Sequence, residues 1–357
     1  MARFGIEEEF ILLDEESLVP VDSNDSARLR AAEETRLGKV MTEYLSCQIE
    51  CATDPVSTLE EADTQVRHLR EIASELASSQ AAVAASSGTP FASTRSSSVF
   101  PSPHYDVVAS HLRHITRDHE VNGLHVHVEV ADAEGRLRAL NRTRSWLPVL
   151  LALTGNSPFA DGLDSGFASW RSIVIRRLPS SWCPPHFHDL DDYRARVTQL
   201  IELGAVSEAV SLSWAVRLSE RFPTVEVRIF DAQLSPEDTL LASLLTRAIV
   251  LADDLPAAPV EHDAIDASIW TAARHGTDAH VMDPMTGEIA QTWDIAARML
   301  AAIRPVLAEL GDEDYVTSGL DRIRRAGTGA QRQLRAYEAR GIEGIRDLYR
   351  GDAQTSS

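Results

Sequence analysis

Residues 4–14 read FGIEEEFILLD, so three consecutive carboxylates, Glu7, Glu8 and Glu9, sit inside an apolar run. Phe4, Ile6, Phe10, Ile11, Leu12 and Leu13 flank them, an aromatic and β-branched setting that predicts a buried strand. A strand alternates its side chains, which puts Glu7 and Glu9 on one face and Glu8 on the other. Two like charges about 7 Å apart on one buried face are costly unless a cation lies beside them. Any fold for this chain has to supply that cation.

The same device recurs three times. In SCQIECA, Gln48 and Glu50 share a face; in LHVHVEV, His125, His127 and Glu129 do; in VEVRIFD, Glu226 and Arg228 do. One such strand is ordinary in a sheet with a solvated face. Four of them point to a common metal-binding face. Several carboxylates with one or two imidazoles favour Mg²⁺ or Mn²⁺ over structural zinc. Such an ion on an open face implies phosphate chemistry, and arginines close to the acids fit that need. Arg228 follows Glu226 by two residues, Arg217 and Arg221 precede it, and Arg171, Arg176 and Arg177 follow the GFASW turn.

Composition narrows the chemistry further. The 357 residues carry a net charge of −20, which disfavours nucleic acid and anionic membrane as partners. Lys39 is the only lysine, so neither a phosphate-binding G-x-x-x-x-G-K-[ST] loop nor a wide choice of Schiff-base residues is available. Cys47, Cys51 and Cys183 make no disulfide framework, and Cys47 and Cys51 are expected as apolar fillers on one strand face, with Ile49. No run is long enough for a membrane span, the first residues do not read as a signal peptide, and the cytoplasm is the expected location.

The order of elements predicts an α+β fold with an antiparallel sheet, since the strands lack βαβ regularity and no GxGxxG occurs. Helices are expected over 59–87, 105–119, 141–157 and 190–203, with a further capped helix from Ser235. No internal boundary is visible. One catalytic domain over 1–350 is expected, followed by a frayed tail at 351–357.

Taken in order, FGIEEEFILLD, CQIECAT, NGLHVHVEV, WLPVLLALTGNSPF, GFASWRS, FPTVEVRIFDAQ and RAGTGAQRQ resemble the carboxylate–amine ligase family, also called the type 2 glutamate–cysteine ligase family. The resemblance spans residues 3 to 350. It implies a glutamine-synthetase-like catalytic fold, an antiparallel sheet forming a funnel backed by helices. It also implies ATP-dependent activation of a carboxylate, classically that of L-glutamate, as an acyl phosphate. An amine such as the amino acid L-cysteine then attacks, leaving a γ-glutamyl amide.

By match to its motifs, Glu7, Glu9, Glu50, His125 and Glu226 resemble Mg²⁺ ligands, and Arg228 the arginine that meets the transferred phosphoryl group. Arg171 resembles a substrate-holding arginine, with His127 and Arg217 as further substrate contacts. Departures fall on the substrate side: many members read WDVRPS, GTHPF and SQVE where this chain has WAVRLS, GTPFA and CQIE. They leave the acceptor amine open, and assembly too, with a homodimer as the expectation. Two other readings stay open. One is a zinc hydrolase built on His125, His127 and Glu129; the other is a binding protein that kept the fold and lost catalysis.

Overall fold

The alternation of residues 4–14 becomes strand β1 (Phe4–Asp14) in the computed structural model of the protein, which describes residues 2–93, 97–255 and 260–351. β2 (Lys39–Thr42), β3 (Gln48–Ala52), β4 (Ala82–Ala85) and β5 (Gly123–Glu129) join it. A small hairpin of β6 (Phe159–Ala160) and β7 (Leu163–Asp164) intervenes before β8 (Val216–Leu218) and β9 (Thr224–Asp231). β10 (His280–Met282) and β11 (Ile289–Gln291) pair apart from the rest. Among the described residues the main sheet runs β2-β3-β1-β5-β9-β8, antiparallel throughout. β4 adds to the far end of β1. Ile11 is opposed by Gln48 on one side and Ala85 on the other, so β4 continues the edge that β5 begins. This is the α+β, antiparallel class read from the sequence.

One face of β1 is packed by helices. Phe4, Ile6, Phe10 and Leu12 lie in apolar clusters with Val66, Leu69, Ile72 and Leu76 of the helix Leu59–Ser78. Thr58 starts that helix through a capping box with Glu61. Glu8 is on this packed face and is fully engaged there. It accepts hydrogen bonds from Arg70 Nε (3.0 Å) and Nη2 (2.7 Å), Thr239 Oγ1 (2.8 Å), Ser86 Oγ (3.2 Å) and the Gln233 N–H (3.3 Å). Glu8 is therefore the buried clamp between the sheet and the helices Leu59–Ser78 and Pro236–Leu251.

Several expectations are corrected. The helix expected over 59–87 stops at Ser78, because Ala81 adopts φ +55° and turns the chain; AVAA becomes β4. The helix expected over 105–119 is Pro103–Leu112 followed by a 3₁₀ turn at Arg113–Asp118, broken at Arg113 with φ +54°. The single helix expected over 141–157 is two, Ala133–Arg144 and Leu147–Thr154, with Pro148 in the first turn of the second. Cys47 and Cys51 are buried and free, but they pack in different clusters, since Cys47 precedes β3 and lies with Leu45 and Phe91 while Cys51 lies with Ile49. Most of the expected frayed tail, 352–357, lies outside the described residues. No helix among the described residues is long and apolar enough to cross a membrane.

Candidate active site

The other face of β1 carries Glu7 and Glu9, and the strand order lines up their partners. Directly opposed residues in an antiparallel pair share a face. Glu50 opposes Glu9, His125 opposes Glu7, Glu226 opposes His127, and Arg217 opposes Glu226. A register shift between Leu124 and Val126 in the β5–β9 pair marks a bulge opposite His125, beside Arg228. The five strands β3, β1, β5, β9 and β8 thus bring all the sequence-predicted acids, both histidines, Arg217 and Arg228 onto one face.

Two groups of donors form on it. Glu7, His127 and Glu226 offer ligand atoms within 4.8 Å of one another, and so do Glu9, Glu43 and Glu50. His125 lies between the groups: its Nδ1 is 3.4 Å from Glu7 Oε2 and its Nε2 is 3.8 Å from Glu9 Oε1. His127 Nε2 is 3.3 Å from Glu7 Oε1 and 4.0 Å from Glu226 Oε1, while its Nδ1 meets Thr224 Oγ1 at 3.0 Å. Glu129, the third member of the alternative zinc set, is drawn away to Arg3 through two hydrogen bonds at 3.0 and 3.1 Å. The zinc triad does not assemble.

The two groups differ electrostatically. Burial opposes the charge on Glu226, but Arg228 and Arg217 outweigh it and hold the carboxyl far below its usual range. Arg217 bonds Glu226 at 2.7 and 3.1 Å, and Arg228 Nη1 also donates to it. Glu7 is likewise held low against burial, by hydrogen bonds from His125 and His127. In the second group, burial and the Glu43 charge push Glu9 up to about 8, with Arg171 opposing. Burial also raises Glu43 and, together with Glu43, Glu7 and Glu9, raises Glu50 well above the usual range. Three carboxyls that cannot all ionise together are the donor set a divalent cation would relieve.

Glu43 was not singled out in the sequence. It stands outside any strand, between β2 and β3, and carries no periodic signal. Arg171, at the start of the short helix Arg171–Val174, is 3% exposed and has no carboxylate in ion-pair range among the described residues. Its Nε has no partner, and its other nitrogens make only 3.5 Å contacts to the Ile229 and Arg228 carbonyls. Gly123 makes room for it, since a Cβ there would meet Arg171 Nη2 at 2.6 Å. Ala215 accepts the Arg228 N–H through its carbonyl at 2.8 Å. Glu9, Glu43, Gln48, His125, Arg171 and Arg228 are among the polar residues lining a cavity of about 280 Å³.

Residues 3–351 match the family model described as glutamate-cysteine ligase family 2. A protein of Mycobacterium sp. (strain KMS), provisionally named glutamate–cysteine ligase 2-2, is 36% identical over 349 residues, covering 94% of each chain. One of Salinispora tropica, provisionally named glutamate–cysteine ligase 2, is 36% identical over 350 residues, or 95% of this chain and 91% of the relative. Among solved structures, a glutamate–cysteine ligase from Francisella tularensis in complex with AMP superposes with a TM-score of 0.71 at 13% identity, over 99% of this chain and 88% of that one. A bifunctional glutathione synthetase from Pasteurella multocida gives 0.72 at 15%, over 99% of this chain and 52% of that one. These likenesses establish the glutamine-synthetase-like fold. The chain belongs to glutamate–cysteine ligase family 2, a family of ATP-dependent ligases.

Proposed function

We propose that the protein uses ATP to convert a carboxylate, L-glutamate in the first instance, to an acyl phosphate and joins it to the amine of an amino acid such as L-cysteine. The observation that carries this reading is the pair of three-donor groups on adjacent strands, with Arg228 and the unpaired Arg171 beside them. Mg²⁺ or Mn²⁺ held by Glu7, His127 and Glu226, and by Glu9, Glu43 and Glu50, would neutralise triphosphate charge and align the γ-phosphoryl group. This reading gives the imidazole position to His127, the histidine within the three-donor group. It leaves His125 to brace Arg228, whose Nη1 is 3.3 Å from its Nδ1.

The protein's own groups then divide the work. Arg171 holds the substrate carboxylate in a buried setting, where a charge-assisted pair is strong. Arg228 stabilises the charge that develops on the transferred phosphoryl group. Arg217 keeps Glu226 ionised and fixed. The acyl phosphate has to be kept from water until the amine arrives.

ADP release from purified protein is expected only with ATP, Mg²⁺ or Mn²⁺, L-glutamate and an amino acid all present. Turnover that proceeds equally well without nucleotide would remove the ligase reading. A second measurement bears on Arg171, although the same methyl would also stand 3.0 Å from His125 Nε2. In Gly123→Ala the new methyl displaces the guanidinium, and the KM for the carboxylate is expected to rise about tenfold or more. An unchanged KM would mean that Arg171 does not hold the carboxylate.

A further inference from the structure

Four histidines line the cavity: His104, His111, His119 and His125. Three are accounted for. His125 braces the donor groups, the exposed His104 lies 3.8 Å from Glu208, and His111 contacts the Ala205 carbonyl at 3.2 Å. His119 has no such employment. It is 8% exposed, its Nδ1 is buried without a partner, and its ring makes no hydrogen bond to another protein group among the described residues. A buried imidazole with nothing to bond is expensive, and buried polar groups are otherwise nearly always satisfied. The ring borders the cavity, and Nε2, the nitrogen not sealed within the protein, is the one a ligand there can meet.

The proposed reaction has one requirement that no residue above meets. An alkyl amine is an ammonium ion at neutral pH and has no lone pair for attack until a proton is removed. The carboxylates near the site belong to the donor groups. Arg171 and Arg228 are permanent cations.

We infer that His119 is the base that takes the proton from the acceptor amine, an inference that rests on the ligase reading above. His119 accepts one proton from the ammonium. The freed nitrogen attacks the carbonyl carbon of the acyl phosphate; the C–N bond forms, the C–O bond to phosphorus breaks, and the departing phosphate takes the second nitrogen-bound proton. The products are the amide, hydrogen phosphate and a His119 imidazolium, which passes its proton to solvent. Charge sets a condition on this assignment, because the ring has to regain basicity when the substrate binds. Burial and the nearby Arg177 and Arg171 hold the free ring neutral, lowering it to about 4, while Asp118 opposes them. An anionic acyl phosphate seated on Arg171 offsets part of that repulsion and makes the ring a better base.

Two isosteric acceptors test the inference. Methylamine is protonated at neutral pH, whereas hydroxylamine arrives as the free base. Wild-type protein with ATP, Mg²⁺ and L-glutamate is expected to use both, read as ADP release. His119→Gln is expected to keep hydroxylamine turnover and to lose that with methylamine by about 10²-fold or more. Methylamine turnover of the variant should then climb with pH as the free amine accumulates. Equal losses with both acceptors, or no loss with either, would overturn the role, as would wild-type protein that uses hydroxylamine and not methylamine. Wild-type protein that releases no ADP with either surrogate or with any amino acid would instead overturn the ligase reading on which the inference stands. Wild-type protein that uses amino acids but neither surrogate would overturn the role if His119→Gln left the pH dependence of that turnover unchanged.

Discussion

Arg228→Lys is expected to lower kcat by about 10²-fold or more while leaving thermal stability close to that of the wild type. Lysine keeps the positive charge beside Glu226 but loses the planar fork that matches phosphate oxygens. The structure sharpens this expectation, because Arg217 still holds Glu226 through two hydrogen bonds when Arg228 changes. Glu226→Gln should behave differently. It strips the counter-charge from two partly buried arginines and a donor from the Glu7 and His127 group, so nucleotide binding, turnover and melting temperature should all fall. Steady-state kinetics and thermal denaturation of both variants separate the possibilities. If Arg228→Lys is less stable yet fully active, the arginine is a structural partner of Glu226 and nothing more.

The second large effect is expected one residue away from the donor groups and on the opposite face. Glu8→Gln leaves Arg70 without its ionic partner at the junction of β1 with two helices. Breaking a buried pair from one side costs about 3–5 kcal/mol, so the denaturation midpoint should drop sharply. The folded fraction should keep its kcat and its Mg²⁺ requirement, because Glu8 points away from the donor groups. A stable but inactive Glu8→Gln protein would contradict this division of labour between neighbouring carboxylates.

How much of this was legible in the sequence follows from the range of each signal. Glu7, Glu9, Glu50, His125, His127 and Glu226 could be placed on one face because a strand alternates with period two, and because apolar neighbours such as Ile6, Ile49, Val126 and Val227 mark the opposite face. The period does not choose between the histidines, and the resemblance implies His125 as the ligand where the three-donor group holds His127. The same rule placed Glu8 on the opposite face. Glu43 escaped because a residue outside a strand is positioned by tertiary closure, which no local period records. His119 escaped for the same reason, lying between the 3₁₀ turn and β5. β4 was hidden by composition. Alanine is a strong helix former, and only the backbone at Ala81 shows that AVAA had left the helix. Glu129 shows the opposite failure, in which the period was right but an arginine from the chain's first residues claimed the side chain.

Glu7, Glu8 and Glu9 make β1 a strand whose tolerance of change depends on the kind of change. A substitution at one of the three alters one face and leaves the other in place. An insertion or deletion anywhere before Glu7 that shifted the pairing by one residue would exchange the faces. Glu8 would then stand among the donor groups, and Glu7 and Glu9 would be driven against the apolar helix Leu59–Ser78. Catalysis and folding would fail together, whereas a point mutation at Glu8 costs stability alone and one at Glu7 or Glu9 costs the donor groups alone. Length variants of β1 are therefore the sharpest genetic probe of this enzyme, and a library of single-residue indels should return none that are active within it.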